Sequence, residues 1–418
     1  MSTLYRRHVL GIAGAHCASA FAALGLPPYL GVLLPQLGDP SARWAGVLYV
    51  LPTLFTALSA GVWGRLADRF GPKPLLIRAQ IGLALAFALA AVAQDLPTLV
   101  VALVTQGVLG GTYSASTAYL ASGLSGEPLS RGLALMQGSA RTALVAAPVL
   151  AGLLAGVLDI RQMYGLAALL PLVAALCMLR MPALGRVDRV RPTRRTEPEA
   201  TDDDGAPRRA AVTLAGLCTA EAGFVLVTVS TYPYFVPLMH LVAPWLPTWA
   251  PGLLFAAPHV IYLAFAAVVL RALRGQPRVG LTIAYAAAAA SAVVHLVPVF
   301  VPGPGSLAWL LAGRLLLGVA LALGLPALSL LAAEAAPFHT PGALFGRVEA
   351  SSKSGAVLAG GTASALATLA PAALGPAAPL VIPLAAGAVL ACTARRMTTP
   401  QQLPSFSIPV PVPDRSLT

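Results

Sequence analysis

Charge is what this chain has least of. Asp, Glu, Lys and Arg make up 10% of its 418 residues and apolar residues 57%, with a mean hydropathy of +0.79. A soluble globular chain carries about 25% charged residues. A water-facing surface cannot be covered from so few, which excludes a soluble globular protein. Lysine is nearly missing: only Lys73 and Lys353 among 27 basic residues. The net charge of +12 is therefore arginine charge. It falls between apolar segments rather than in a patch or stripe, which excludes a nucleic-acid surface. Cysteine is scarce. Cys17, Cys177, Cys218 and Cys392 sit inside apolar segments without ligand spacing, so they read as buried thiols and no metal site is expected. No G-x-x-x-x-G-K-[ST] loop is present and no polar stretch is long enough for a nucleotide-binding domain, so neither ATP nor another cofactor is expected. Histidine, aspartate, serine and cysteine form no grouping of the kind a membrane-embedded enzyme needs. Nor is there a soluble domain for a sensor.

What the chain does have is long apolar runs. A bilayer-crossing helix needs roughly 20 apolar residues. Twelve segments qualify as candidate spans: about 8–34, 44–64, 75–94, 98–121, 132–156, 162–181, 210–239, 251–270, 279–301, 306–333, 346–369 and 377–394. The expected class is an all-α membrane protein, since a closed barrel would show short alternating segments instead. Arg6 and Arg7 precede the first run like a signal peptide, but the run is long and many spans follow, so it reads as an uncleaved helix. The arginines then set the orientation. With the N-terminus in the cytoplasm, almost all basic residues between spans fall on that side, and the outer loops keep only Arg43 and Arg161. An even span count returns the C-terminus to the cytoplasm. The arginine bias, with abundant Ala, Gly and Pro, marks a GC-rich bacterial genome, so the expected location is a bacterial inner membrane.

Residues 182–209 break the pattern. They are rich in Arg, Asp, Glu and Pro and include Asp202, Asp203 and Asp204, which reads as a mixed-charge cytoplasmic linker. The expected organisation is a six-helix half at 1–181, this linker, a second six-helix half at 210–396, and a Pro-rich tail at 397–418. An internal repeat supports two halves. Gly11–Leu30 aligns without gaps to Gly216–Phe235, with Gly11/Gly216, Ala15/Ala220, Pro28/Pro233 and Tyr29/Tyr234 identical. That register sets His16 opposite Glu221. A second alignment sets Gln137 and Arg141 against Glu349 and Lys353.

Between spans two and three stands Gly64-Arg-Leu-Ala-Asp68-Arg69-Phe-Gly71-Pro-Lys73. It resembles the G-x-x-x-D-R-x-G-R/K-R/K signature of the major facilitator superfamily, with Pro72 in place of one basic residue. The resemblance covers roughly residues 8–394. It implies the major facilitator fold, two pseudo-symmetric six-helix bundles working by alternating access, commonly as a monomer. It also implies that Gly64, Asp68, Arg69, Gly71 and Lys73 form a gating motif that stabilises one access state. The other reading of this loop is a topology-setting basic turn. Gln106-Gly107 in span four resembles a second family motif, but Leu103 stands where that motif has Arg; an Arg at the matching offset from a glycine appears instead at Arg314. In span five, Ala147-Pro148-Val-Leu-Ala151-Gly152 resembles the G-P-x-x-G-G motif of antiporters, with Pro148 and Gly152 retained. That favours export. Its plainer reading is close packing of small residues.

Six ionisable residues fall deep in spans: His16, Arg141, Glu221, Arg314, Glu349 and Lys353. Each costs about 2.5–3.5 kcal/mol at the bilayer centre on insertion scales, so each needs a partner or a watery cavity. The functional expectation is a cavity between the halves. There Arg141, Arg314 and Lys353, with Gln137, Tyr232 and Tyr234, bind a small organic anion. Glu221, His16 and Glu349 exchange coupling protons. Glu349 and Lys353, four residues apart with Glu first, are placed to pair. The alternative is that these charges only pin helices together. Tyr232 and Tyr234 line a gate, contact substrate or anchor an aromatic belt; His259 and His295 read as packing residues. The partners expected are thus a small-molecule substrate, protons and lipid. Carboxylate-siderophore exporters within the superfamily are one compatible substrate class, drug exporters another. An organic-anion importer remains open because of Leu103.

Overall fold

The computed structural model describes residues 3–124, 126–181, 213–335, 341–371 and 374–394. Every regular element among them is helical. Among the described residues, nine segments are long and apolar enough to cross a membrane on their own: spans one (Val9–Leu37), two (Ala45–Ala67), three (Pro72–Ala91), four (Leu96–Ser122), six (Ile160–Arg180), seven (Leu214–Val242), eight (Ala250–Ala272), nine (Pro277–Phe300) and ten (Ser306–Ala335). Spans five (Gly126–Leu154) and eleven (Pro341–Leu369) are as long but each carry three charged residues. Span twelve is shorter (Ala378–Ala394). The twelve-helix expectation holds. The 182–209 linker and the 397–418 tail lie outside the described residues.

Helix starts follow from side-chain caps at the membrane edge. Asp95 accepts from the Thr98 N–H at 2.8 Å, and Asp159 forms a full capping box with Gln162. Donation from the Thr98 hydroxyl and then its N–H holds the exposed Asp95 carboxyl below its ordinary range. The signature turn is equally local in origin. Gly71 has φ +85°, a conformation only glycine adopts freely, and its N–H closes span two on the Ala67 carbonyl. Pro72 then takes the first position of span three, where a missing N–H costs nothing. Lys73 Nζ donates to the carbonyls of Leu179 and Met181 at the end of span six, 3.3 and 2.5 Å away. Arg69 lies 5.3 Å from the Phe70 ring. The Asp68 side chain lies outside what is described.

Three spans are broken. Spans one and seven each pass through a 3-10 turn, at Pro27–Tyr29 and Tyr232–Tyr234. Pro28 and Pro233, identical in the repeat, lack the N–H that would continue the α-helix. Span four ends its first helix at Leu109, turns through Gly110 and Gly111 (φ +80°), and restarts at Thr112. The break frees carbonyls that a continuous helix would use. Thr56 Oγ1 donates to Gly107 O at 3.1 Å, Trp63 Nε1 to Val108 O at 2.6 Å and Arg78 Nη1 to Leu109 O at 2.6 Å. The Arg78 guanidinium lies 3.4 Å over the Trp63 ring. Spans two and three thus clasp the broken end.

The first six and last six spans meet at the end away from the signature turn. One buried cluster there joins Leu26, Leu30 and Leu33 of span one to Tyr234, Val236 and Ala363. Backbones approach closely at two junctions. A Cβ on Gly46 of span two would collide with Gly360 O of span eleven, and one on Gly252 of span eight with Pro148 O of span five. Such contact needs glycine.

Candidate functional site

In spans five and eleven the charged and amide side chains lie toward the signature-turn end, while apolar residues at the far ends, such as Leu153 and Leu369, are also exposed. Ala147 and Ala363 are fully buried, Arg141 and Lys353 are partly exposed, and Gln137 and Glu349 are exposed. The backbone contacts at Gly46 and Gly252 close the two sets of six spans together at the end away from the signature turn. Arg141, Gln137, Glu349 and Lys353 lie on the signature-turn side of those junctions.

Arg141 occupies the middle of span five. Its guanidinium lies 5.3 Å from the Tyr262 ring of span eight, a cation–π contact across the two sets of six spans. Its charge also reaches Tyr49, Tyr232, His259 and Glu221. Ion pairs among the described residues join Arg43 to Asp39, Arg161 to Asp159, Arg278 to Glu334 and Lys353 to Glu349, and Arg141 is in none of these. Glu221 of span seven is half-buried. Ser352 lies beside its carboxylate, and Glu349 and Arg141 are its charged neighbours. Lys353 Nζ sits 3.3 Å from Glu349, one helical turn away.

His16 and Glu221, matched in the repeat, have separate neighbours. His16 is buried with its ring 5.4 Å from Tyr113, and neither ring nitrogen has a hydrogen-bond partner among the described residues. Gln137 turns to the same tyrosine, donating to Tyr113 Oη at 2.7 Å. Tyr113 opens the second helix of span four, so the break at Gly110 and Gly111 is what carries it to His16.

Arg314 lies apart from Arg141, inside the last six spans and 1% exposed. Pro258 in span eight has no N–H for the carbonyl four residues back, which is Leu254. Arg314 supplies the missing donor: Nε to Leu254 O at 2.9 Å, and Nη2 to Phe255 O at 2.6 Å. The rings of Phe235 and Phe255 flank it at 4.2 and 5.1 Å. In this conformation Arg314 splints the span-eight proline. Arg314→Ala should therefore lower stability in detergent by about 2–4 kcal/mol, as for an orphaned buried acceptor with lost packing. Pro258→Ala, which restores the helical donor, should recover part of that loss in a double-mutant cycle of thermal unfolding. Additive losses would show that the two residues are not coupled.

Tyr232 is buried against Phe255 and His259, with its Oη 3.4 Å from His259 Nε2. Tyr234 lies at the closed end. Its Oη reaches the start of span two and Ser364 of span eleven. Pro148 and Gly152 face span eight, where a Cβ on Gly152 would come within 2.9 Å of Trp249 O. Gly64 has open space around its Cα. Sequence reasoning missed Tyr49, Tyr113, Tyr262 and Ser352. The Gly110-Gly111 pair could have drawn attention to Tyr113; single tyrosines on apolar spans carry no signal of which face they take.

Residues 12–301 match the family described as Major Facilitator Superfamily. Among curated relatives, the multidrug resistance protein MdtG of Dickeya zeae is 30% identical over 175 residues, 41% of this chain and 42% of that protein. The class C tetracycline resistance protein of Escherichia coli is 32% identical over 31% of this chain and 35% of its own length. The staphyloferrin B transporter of Staphylococcus aureus is 27% identical over 37% of this chain and 36% of its own. Each match thus spans well under half of the relative. Among solved structures, a D-xylose-proton symporter superposes with a TM-score of 0.72 at 12% identity, covering 94% of this chain and 97% of its own. A bacterial homologue of the iron transporter ferroportin, in an inward-facing state, superposes at 0.66 with 16% identity, covering 96% of this chain and 100% of its own. At such identity these show the fold alone. The twelve-helix architecture and a match over more than half the sequence agree: this chain belongs to the Major Facilitator Superfamily of membrane transporters.

Proposed function

We propose that the chain exports a small carboxylate-bearing compound from a bacterial cytoplasm in exchange for protons. The signature-turn end faces the cytoplasm in this reading, because the arginines gather there. Two six-helix halves, residues 1–181 and 210–396, rock about the site, and the protein works as a monomer. The observation that carries the substrate class is Arg141: a partly exposed residue in the middle of span five, its guanidinium 5.3 Å from the Tyr262 ring and in no ion pair among the described residues. A planar cation held this way is suited to a carboxylate. Glu221 is the proton-exchanging group and Lys353 offsets Glu349. The retained Pro148 and Gly152 support export. So do relatives named for multidrug resistance, tetracycline resistance and staphyloferrin B transport. A carboxylate siderophore is one member of the class proposed.

A second reading has its own observation. Arg141 and Lys353 balance Glu221 and Glu349 when all four are charged. A bound anion adds one negative charge and a proton on Glu221 removes one, so the pair together keeps the site neutral. That count favours anion and proton moving the same way, as in an importer. Direction is read by uptake of labelled compounds into energised inside-out vesicles, tested with carboxylates, cations and neutral molecules. Export of anions predicts accumulation of the carboxylates. Accumulation of cations alone would replace the substrate class with cationic drugs.

A further inference from the structure

The start of span two is capped from the other side of the protein. Its N-cap residue, Trp44, supplies no side-chain acceptor. The first N–H groups of any helix lack intrahelical partners. Here hydroxyls of the last six spans take that place. Gly46 N–H donates to Tyr234 Oη at 3.1 Å, and Val47 N–H to Ser364 Oγ at 2.9 Å. The two hydroxyls lie 3.1 Å apart, and Tyr234 O–H donates to Arg43 O at 3.2 Å. One assignment satisfies every group: Tyr234 donates to Arg43 and accepts from Gly46 and Ser364, while Ser364 accepts from Val47. Gly46 is the residue whose backbone lies against Gly360 O, so the network sits at the tightest point between spans two and eleven.

The repeat supplies a comparison within the same molecule. Tyr29, matched to Tyr234, is also buried at the closed end, against spans five and eight. Its hydroxyl donates to Pro148 O at 2.9 Å, a partner on its own side. It only abuts Gly252 across the junction, where a Cβ would come within 2.8 Å of it. The two tyrosines are alike in position and differ in what they bond.

We propose that Tyr234 and Ser364 form a hydroxyl latch that holds the outer end shut by capping span two, and that opening outward requires its release. The inference rests on alternating access and on the orientation proposed above. It assigns Tyr234 to the gate, and it makes the two junctions unequal among the described residues: spans two, seven and eleven are joined at the outer end by hydrogen bonds, while spans five and eight meet there by backbone packing, with the Arg141–Tyr262 contact deeper in.

The test is a spin-label distance across the outer face. Val157→Cys and Gly303→Cys, both outside the latch, carry the labels in full-length protein whose four native cysteines are replaced. Tyr234→Phe should raise the ratio of long to short distances roughly tenfold or more, as expected for buried donors left without acceptors. Ser364→Ala should act in the same direction and serves if Tyr234→Phe does not fold. Tyr29→Phe should change the ratio less than threefold, roughly one weak bond's worth. Gly252→Ala is a steric wedge at the other junction and should open the outer end without touching the latch. If the wedge opens it while Tyr234→Phe and Ser364→Ala keep the unmodified distribution, the latch is wrong and alternating access stands. If the wedge also leaves it closed, the latch falls together with the alternating-access reading.

Discussion

Arg141→Ala is expected to abolish concentrative transport while the protein still accumulates in the membrane. The residue is partly exposed and makes no hydrogen bond or ion pair among the described residues beyond its contact with the Tyr262 ring, so truncation leaves no buried partner unsatisfied. Folding should therefore be spared. Binding should not be. Hydrogen bonds to a charged group contribute about 1.5–3 kcal/mol each, so losing them weakens anion binding roughly 10- to 150-fold. Arg141→Lys keeps the charge but loses the planar fork, and should recover only part of the affinity. Equilibrium binding of a labelled carboxylate to purified protein checks both. Unchanged affinity in Arg141→Ala would remove the residue from the site.

Glu221→Gln is the second large effect. The amide keeps the shape and can still meet Ser352, but it cannot take up or release a proton. The variant should lose gradient-driven accumulation by roughly tenfold or more, since each 1.4 kcal/mol of lost coupling is tenfold in the ratio. It should keep counterflow, the downhill exchange of labelled for unlabelled anion, because Arg141 is untouched. That split separates a coupling residue from a packing residue, whose loss would lower both. Accumulation at the unmodified level would move proton exchange elsewhere, with His16 the next group to test.

Much of the fold was legible in the text of the chain. Apolar run length gave twelve spans because a bilayer admits little besides helices of that length. The breaks in spans one and seven fall at Pro28 and Pro233, which the repeat marked as identical without marking them as breaks, although a missing N–H acts wherever the proline sits. The glycine pair in span four was equally visible but carried no meaning alone; the Thr56, Trp63 and Arg78 donors that make the break tolerable come from two other spans. Arg314 shows the limit most clearly. Its depth in span ten marked it as a buried charge needing a partner, and nothing in its own span identified Pro258 as the residue that frees the carbonyl it binds. Gln137 and Arg141, one turn apart like Glu349 and Lys353, diverge for a similar reason: Gln137 turns to Tyr113 and Arg141 to Tyr262, and the choice belongs to neighbouring helices.

The central claim is that protons and a carboxylate exchange through this site in opposite directions. Inside-out vesicles energised to an acid interior, with a pH-sensitive dye, test it most directly. Adding the carboxylate to the unmodified protein should release the proton gradient, and Glu221→Gln should prevent the release. Further acidification on adding the anion would show both moving together and contradict export by exchange, as would anion entry with no change in the dye.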